Sequence, residues 1–255
     1  MFMRDLIKRM KKGSAGIILV LFGGMVSCSQ DSPLLKSAPT VSRNEMVEIS
    51  KLYSEMEWEG SSSNAFHGVD PDGNVVHTPD VCSDAIQANG YWWRGNGARN
   101  VGMPYKWGGW DTPVSFKKKL GSTPGNGVRK YAAGDIASDD KVKKGDAAVS
   151  KYAAGIDCSG FVSRCWRLDR SYSTKELAAF CDKIPMEDLK VGDILLKPGT
   201  HVALFLGWAD GDRSKMLVSE AGPLPFWGVS EHTVPTEVFV TQQYDCYRYK
   251  NLKND

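Results

Sequence analysis

The sequence predicts an α+β fold. Apolar residues recur at helical spacing over residues 43–57 and again from Cys158 to about Leu168. From residue 189 onward the chain instead carries short apolar runs separated by Gly, Pro or Asp, which indicates antiparallel strands. Helices first and a run of strands afterwards, without regular alternation, are typical of the α+β class.

Residues 1–27 have the pattern of a bacterial export signal. Basic residues precede the apolar run 16–22, which is too short to cross a bilayer comfortably. Cys28 follows small residues where cleavage is expected, so the segment resembles a lipoprotein signal. By that resemblance Cys28 would be the lipidated first residue of the mature protein. An ordinary secretory signal with an incidental cysteine is the alternative.

The resemblance to a lipoprotein signal implies an exported, lipid-anchored protein, and the composition of the remaining chain agrees with a body in solution. The whole chain has a formal net charge of +2, but residues 1–27 carry five basic residues and one acidic residue. The remainder is therefore slightly acidic, and it shows no basic face that would suggest a nucleic-acid partner. A lipid anchor implies a bacterial membrane as a partner, at its periplasmic or cell-surface face, whereas no protein partner is inferred.

Residues 28–42 are polar and contain prolines, so we expect a flexible tether. Residues 43–100 are predicted to be a helical N-terminal extension, with one helix over 43–57. A second helix is predicted over 80–92, because Thr78 and Pro79 form a helix-start signal. Residues 70–74 are a turn, too short and too poor in ligands for a calcium loop, and no metal or cofactor is predicted.

Residues 101–255 are predicted to be the main domain, with an insertion at 111–156. The insertion contains two copies of one pentapeptide, 130–134 and 151–155. Two copies are too few for a solenoid, so short helices and loops are expected, and a lid remains an open alternative. Later elements are predicted as helices from Cys158 to about Leu168 and over 171–182, the second with Ser173 or Thr174 as its N-cap. Strands are predicted within 189–196, 201–207, 216–221, 226–230 and 243–249.

Two positions carry the candidate chemistry. Cys158 opens an apolar helix, and His201 opens an apolar strand. A thiol at a helix start and beside an imidazole ionises more readily, and the thiolate is the nucleophile. His201 is therefore the candidate base, with His232 as its rival. A small buried cysteine without chemistry is the plainer interpretation of Cys158.

Four cysteines have no assigned role: Cys82, Cys165, Cys181 and Cys246. Outside the cytoplasm they could form disulfides, or they could be buried free thiols. Their spacing matches no metal-binding pattern.

The run Asp157-Cys158-Ser159-Gly160, then Gly192-Asp193, then His201-Val202, resembles the NlpC-type cell-wall cysteine peptidases. Upstream, Tyr105-x-Trp107-Gly108-Gly109 resembles their Tyr-x-x-Gly-Gly element, although residues 110–156 separate it from the cysteine. The resemblance implies a papain-like α+β domain in which the nucleophile helix packs on an antiparallel sheet. It also implies hydrolysis of peptidoglycan stem peptides.

By the same resemblance, the third catalytic residue lies on the strand after the base strand. Glu220 occupies that position, and a carboxylate can orient an imidazole and stabilise its cation. Tyr105, Asp157 and Ser159 could bind a free substrate amine, which would imply cleavage of the γ-D-glutamyl-diamino acid bond. Two other functions remain: a cysteine amidase or acyltransferase on the same fold, and a binding lipoprotein without catalysis.

Overall fold

The computed structural model describes residues 38–80, 99–125, 129–223 and 227–253. This part of the chain is mixed α and β, in agreement with the predicted α+β class. Residues 1–37, including Cys28, lie outside the described residues, as do Cys82 and the helix predicted to end at residue 92.

The described helices are α1 (Arg43–Ser54), α2 (Pro113–Leu120), α3 (Asp139–Lys144), α4 (Cys158–Cys165), α5 (Thr174–Leu177) and α6 (Thr236–Thr241). The small strands of the first half are β1 (Glu57–Glu59), β2 (His67–Val69), β3 (Val75–His77), β4 (Arg99–Val101), β5 (Ala132–Ala133) and β6 (Ala153–Ala154). The strands of the main sheet are β7 (Cys181–Ile184), β8 (Ile194–Lys197), β9 (His201–Trp208), β10 (Lys215–Gly222), β11 (Gly228–Pro235) and β12 (Asp245–Tyr249).

The main sheet has six strands in the order β11-β10-β9-β8-β12-β7, and every neighbouring pair is antiparallel. The strands β9, β10 and β11 are consecutive in the chain and adjacent in the sheet. Because each pair is antiparallel, the start of β9, the end of β10 and the start of β11 lie at the same edge of the sheet. Glu220 on β10 pairs in register with Ser230 on β11. The register between β9 and β10 shifts between Leu217 and Val218, which marks a local irregularity next to this region.

The N-terminal extension is helical only in its first part. Ser42 and Glu45 form a reciprocal capping box. The Glu45 N–H donates to Oγ of Ser42 at 3.1 Å, and the Ser42 N–H donates to the Glu45 carboxylate at 2.8 Å. Helix α1 follows, as predicted, but it ends at Ser54. The prediction of a helical extension is wrong over residues 57–77 and at residues 99–101, because β1 pairs with β4 and β2 pairs with β3.

Helix α4 forms the centre of the core. Its residues Phe161, Val162 and Cys165 are fully buried, and its apolar face packs against α1 and the main sheet. Trp166 immediately follows the helix and stacks on Tyr249 of β12, with ring centroids 4.7 Å apart. Burial of this many apolar atoms fixes the helix start, and therefore Cys158, relative to the strands.

The predicted helix over 171–182 is shorter than expected. Ser173 caps α5 through a capping box with Glu176, as the sequence indicates. However, the chain then turns through a short 3₁₀ segment, and Cys181–Ile184 forms β7 instead of the last helical turn. The reason is tertiary, since β7 satisfies its backbone by pairing with β12 at the sheet edge.

The two pentapeptide copies in the insertion pair with each other. Ala132 and Ala133 lie in parallel register with Ala153 and Ala154. Further along, the Gly134 N–H donates to the Ala154 carbonyl at 2.8 Å, continuing the pairing past the strands. The duplicated sequence therefore joins the two halves of the insertion to each other.

The insertion packs against the hairpin formed by β2 and β3. The hydroxyl of Ser150 donates to the buried carboxylate of Asp70 at 2.6 Å, and Lys151 forms an ion pair with Asp72 at 2.9 Å. The turn at residues 70–74 thus anchors this end of the insertion to the extension.

Four cysteines of the described ranges, Cys158, Cys165, Cys181 and Cys246, are free and buried. Burial raises the pKa of the Cys165 and Cys181 thiols strongly, and it raises the pKa of Cys246 to about 11. Within the described ranges, no helix has the length and apolar character needed to cross a membrane, and no group of three or more metal-binding side chains is found.

Candidate active site

Cys158 is the first residue of α4, and its side chain is 7% exposed. The preceding residue, Asp157, is the N-cap, and its carboxylate accepts the Gly160 N–H at 2.6 Å. The first N–H groups of a helix have no acceptor within the helix, and the helix dipole places partial positive charge at this end. The backbone around Cys158 is therefore suited to a negative charge on sulfur or on a bound oxygen.

His201 is the first residue of β9, and its Nε2 is hydrogen-bonded to Oε2 of Glu220 on β10. The thiol of Cys158 lies near enough to His201 to raise the pKa of the imidazole. Because Nε2 is engaged by Glu220, Nδ1 is the nitrogen left for the thiol. The structure thus brings together the nucleophile, base and third residue that the sequence predicts.

Glycine at position 222 leaves room for the imidazole ring of His201. A β carbon there would lie 3.3 Å from Cε1 of His201. On another side, Tyr244 stands edge-on to the imidazole, with ring centroids 6.4 Å apart. The ring is therefore held by close packing as well as by Glu220.

The electrostatics of the site favour an imidazolium. Burial by itself would lower the pKa of His201, but the negative charges of Cys158 and Glu220 and their hydrogen bonds hold its pKa well above 6.5. Burial would likewise raise the pKa of Glu220, yet the charge and hydrogen bond of His201, together with His232, lower its pKa to about 2. Glu220 is thus a carboxylate, and His201 is cationic beside it.

The sequence suggested His232 only as a rival base to His201, but in the structure His232 contacts the carboxylate of Glu220. Its Nε2 lies 3.1 Å from Oε1 of Glu220, while Nδ1 lies 3.1 Å from the hydroxyl of Ser230. Both Ser230 and His232 are on β11, two residues apart. Their spacing predicts that both side chains lie on one face of a strand, but it does not identify Glu220 as their partner.

The neighbouring residue Ser219 points elsewhere, as strand alternation predicts. Its hydroxyl accepts from the Ser50 hydroxyl of α1 at 2.9 Å, away from the contacts of Glu220.

The Tyr105 segment reaches the site despite the long insertion. The Lys106 N–H donates to the Ile156 carbonyl at 3.0 Å, and the Ile156 N–H donates to the Pro104 carbonyl at 3.0 Å. These bonds place Tyr105 beside the residues that precede Cys158. The sequence distance across residues 110–156 therefore does not separate the two motifs in space.

Tyr105 itself is buried, and its ring stands edge-on to Trp227 at 5.2 Å between centroids. Burial raises the pKa of its hydroxyl well above 10, and the nearby charges of Cys158 and Asp157 act in the same direction. The phenol is therefore a neutral hydrogen-bond donor close to the nucleophile.

Asp157 and Ser159 lie at the same helix start. The Ser159 hydroxyl donates to Oδ1 of Asp157 at 3.0 Å, the oxygen that also accepts the Gly160 N–H. Burial raises the pKa of Asp157, although these hydrogen bonds and the charge of Lys106 oppose the shift. Asp157 is thus a helix cap, and its position beside Cys158 also fits the predicted amine-binding role.

The Gly192-Asp193 pair is structural. The carboxylate of Asp193 is 1% exposed, and it accepts from Arg43 at 3.0 Å and from Arg248 at 2.7 and 3.0 Å. It therefore joins α1 to β12 beneath the loop that begins β8. Gly192 adopts a φ of 87°, a left-handed conformation that favours glycine.

Comparison with protein-family models gives no match for this chain, and comparison with curated proteins gives no significant match.

Proposed function

We propose that this protein is a papain-like cysteine peptidase of the NlpC type that hydrolyses peptidoglycan stem peptides. The observation that carries the proposal is the juxtaposition of Cys158, His201 and Glu220 at a helix start and on two adjacent strands. Such an arrangement supplies a thiolate, a proton carrier and an orienting carboxylate, which together suit acyl transfer.

The proposed mechanism begins with attack of the Cys158 thiolate on the carbonyl carbon of the substrate amide. His201 holds the thiol proton on its imidazolium and donates it to the leaving amine, which gives a thioester. A water molecule then attacks the thioester, His201 takes a proton from that water, and the Cys158 thiolate leaves, which restores the thiolate–imidazolium pair. Glu220 keeps the imidazole oriented and stabilises its cationic form throughout.

The oxyanion formed in both steps requires hydrogen-bond donors. The Cys158 N–H at the helix start is one donor, and the neutral Tyr105 hydroxyl is the second. Donors fixed in a buried site stabilise the developing negative charge more effectively than mobile water does.

The substrate preference follows from Asp157, Ser159 and Tyr105 beside the nucleophile. We propose that Asp157 binds the free amine of a stem peptide that begins with L-Ala, because a buried carboxylate is suited to an ammonium. The bond cleaved would then be that between D-Glu and the diamino acid. Lipidation at Cys28 would hold the enzyme at a bacterial membrane in the exported compartment.

The test is mass spectrometry of L-Ala-γ-D-Glu-diaminopimelate incubated with the purified protein. We expect release of L-Ala-D-Glu by the wild type and none by Cys158→Ala. Turnover of other amides alone would instead identify an amidase or acyltransferase. If neither class of substrate reacts, the peptidase proposal is wrong and a binding function remains.

Asp157→Asn tests the amine-binding role separately, because Asn is also a good helix cap but has no charge. We expect this variant to lose its preference for the free tripeptide over the same peptide acetylated at its N-terminus. An unchanged preference would reject Asp157 as the amine ligand while leaving the peptidase proposal intact.

A further inference from the structure

Two histidines from different strands share the carboxylate of Glu220. His201 of β9 binds Oε2, while Nε2 of His232 on β11 lies 3.1 Å from Oε1. The side chains of both histidines are largely buried, at 17% and 16% exposure. The mechanism above uses only His201, so the second histidine requires its own explanation.

Ser230 determines how His232 faces the carboxylate. When its hydroxyl donates to Nδ1 of His232 at 3.1 Å, the proton of the neutral ring lies on Nε2, towards Glu220. Nε2 of His232 makes no hydrogen bond of normal geometry, although Oε1 of Glu220 lies only 3.1 Å away. The interaction is therefore a close contact between a polar N–H and a charged oxygen, and it lowers the pKa of Glu220.

This arrangement excludes His232 as the base for Cys158. One ring nitrogen faces Ser230 and the other faces Glu220, so neither is left for the thiol. The titratable groups that surround Glu220 are His201, His232, Cys158 and Tyr244.

Rotation of the Glu220 carboxylate would remove Oε2 from the imidazole of His201. A carboxylate with one partner can rotate about its last bond, whereas one held at both oxygens cannot rotate without losing a contact. The contact at Oε1 comes from a neighbouring strand of the same sheet, which is a rigid support.

We propose that His232 is a positioning residue that holds Oε1 of Glu220, so that Oε2 remains directed at Nε2 of His201. The catalytic triad is thereby extended to a fourth side chain, Cys158–His201–Glu220–His232. This inference rests on the proposed role of Cys158 as an activated nucleophile.

The test measures the rate at which iodoacetamide alkylates Cys158 in the full chain across a range of pH. In this reaction the thiolate sulfur forms a bond to carbon and iodide leaves, so the rate reports the thiolate paired with His201 without any peptide substrate. Mass spectrometry of digested protein assigns the label to Cys158, and Cys158→Ala supplies the blank.

We expect His232→Leu to slow alkylation at neutral pH by about threefold to tenfold, because the carboxylate of Glu220 loses its close polar contact at Oε1 and is free to turn away from His201. The acidic limb of the alkylation rate against pH should move to higher pH in this variant, because Glu220 protonates more readily without His232. His232→Gln should restore most of the rate, as its amide N–H replaces that of Nε2. His67→Leu, in the distant β2–β3 hairpin, is the matched histidine control and should behave like the wild type.

A wild-type rate and pH profile in His232→Leu would overturn the proposal. Equal slowing in the Leu and Gln variants would overturn it too, because only the packing of the ring would then matter. Circular dichroism checks that each variant folds. If the Leu variant does not fold, His232→Asn replaces it, because Asn is too short to reach Oε1, and equal rates in Asn and Gln would reject the proposal.

The alkylation test of His232 and the cleavage test of the proposed function can fail independently of each other. Alkylation that depends on His232 without any cleavage of stem peptides would reject only the proposed substrate. Normal cleavage of stem peptides by His232→Leu would reject only the positioning role.

Discussion

Gly160, in the first turn of α4, lies directly against the carbonyl oxygen of Gly109. A β carbon at position 160 would stand 2.2 Å from that oxygen, a separation that real structures do not show. The Asp157 N–H donates to the same carbonyl at 3.2 Å. This contact joins the Tyr105 segment to the helix that carries Cys158, so glycine at position 160 determines how closely the two motifs approach.

Gly160→Ala is therefore expected to destabilise the fold by about 3 kcal/mol, because the obstructing atom is backbone and cannot rotate away. Activity should fall with it, since Tyr105 moves away from Cys158. Gly211→Ala is the matched control, because a β carbon there meets nothing within 4 Å. Urea denaturation measures both variants, and equal stability of the two would contradict the prediction.

Glu220→Gln keeps the shape of the proposed third catalytic residue but removes its charge. We expect kcat/KM to fall by about ten- to a hundredfold, because the imidazolium of His201 loses a stabilising anion. Glu231→Gln provides the control, since Glu231 is also on the sheet but its side chain lies near Ser50 and Ser54. Steady-state kinetics on the tripeptide distinguish them, and similar losses in both variants would argue against a specific role for Glu220.

The pH dependence of kcat/KM should have an alkaline limb well above pH 6.5. The pKa of His201 is raised, so its proton remains available to the leaving amine until the pH exceeds that raised value. In Glu220→Gln the same limb should move to lower pH. A wild-type limb near pH 6.5 would show that the imidazolium is not stabilised as the structure indicates.

Stability should also vary with pH through this pair. Glu220, with its pKa lowered from 4.5 to about 2, stabilises the fold above pH 4.5, and this contribution is lost as the pH falls towards 2. His201, with its pKa raised, contributes below pH 6.5 and loses its contribution as the pH rises through the raised value. Unfolding measured against pH in wild type and Glu220→Gln should differ least at the acidic extreme, and a difference that is constant with pH would contradict the linkage.

Asp193→Asn is expected to destabilise the protein by about 3 kcal/mol without altering the chemistry of the site. The buried carboxylate neutralises Arg43 and Arg248, and its loss leaves two partly buried cations without a counter-charge. Asp140→Asn, which removes an exposed pair with Lys143 at 3.9 Å, should change the melting temperature little. A melting temperature of Asp193→Asn equal to that of Asp140→Asn would contradict this account.

Local sequence patterns predicted the parts of the fold whose signals are local. The strand over 201–207, the start of α4 at Cys158 and the cap at Ser173 depend on apolar periodicity and on short polar side chains, and the structure has all three. Strand β7 was missed because its pairing with β12 joins residues distant in sequence. The strands β1 to β4 of the extension were missed for a different reason, since each is only three residues long and too short to show a clear pattern.

The candidate site was also predictable only where its signals are local in sequence. Cys158, His201 and Glu220 follow from a motif and from the order of strands, and the structure places them together. The position of His232 depends on the register of β11 against β10, where His232 lies opposite Val218. No short-range pattern determines that register, so its contact with Glu220 could be found only in three dimensions.

The parallel pairing of the two pentapeptide copies has a consequence for how this chain tolerates change. Because Ala132–Ala133 and Ala153–Ala154 are hydrogen-bonded to each other, the insertion closes on itself and returns to the Tyr105 segment through its own backbone. Segments 112–129 and 137–150 begin and end at fixed points, and the entropy of loop closure grows slowly with length. Variants of this chain with residues added or removed in these two segments are therefore expected to keep the same separation between Cys158 and Tyr105.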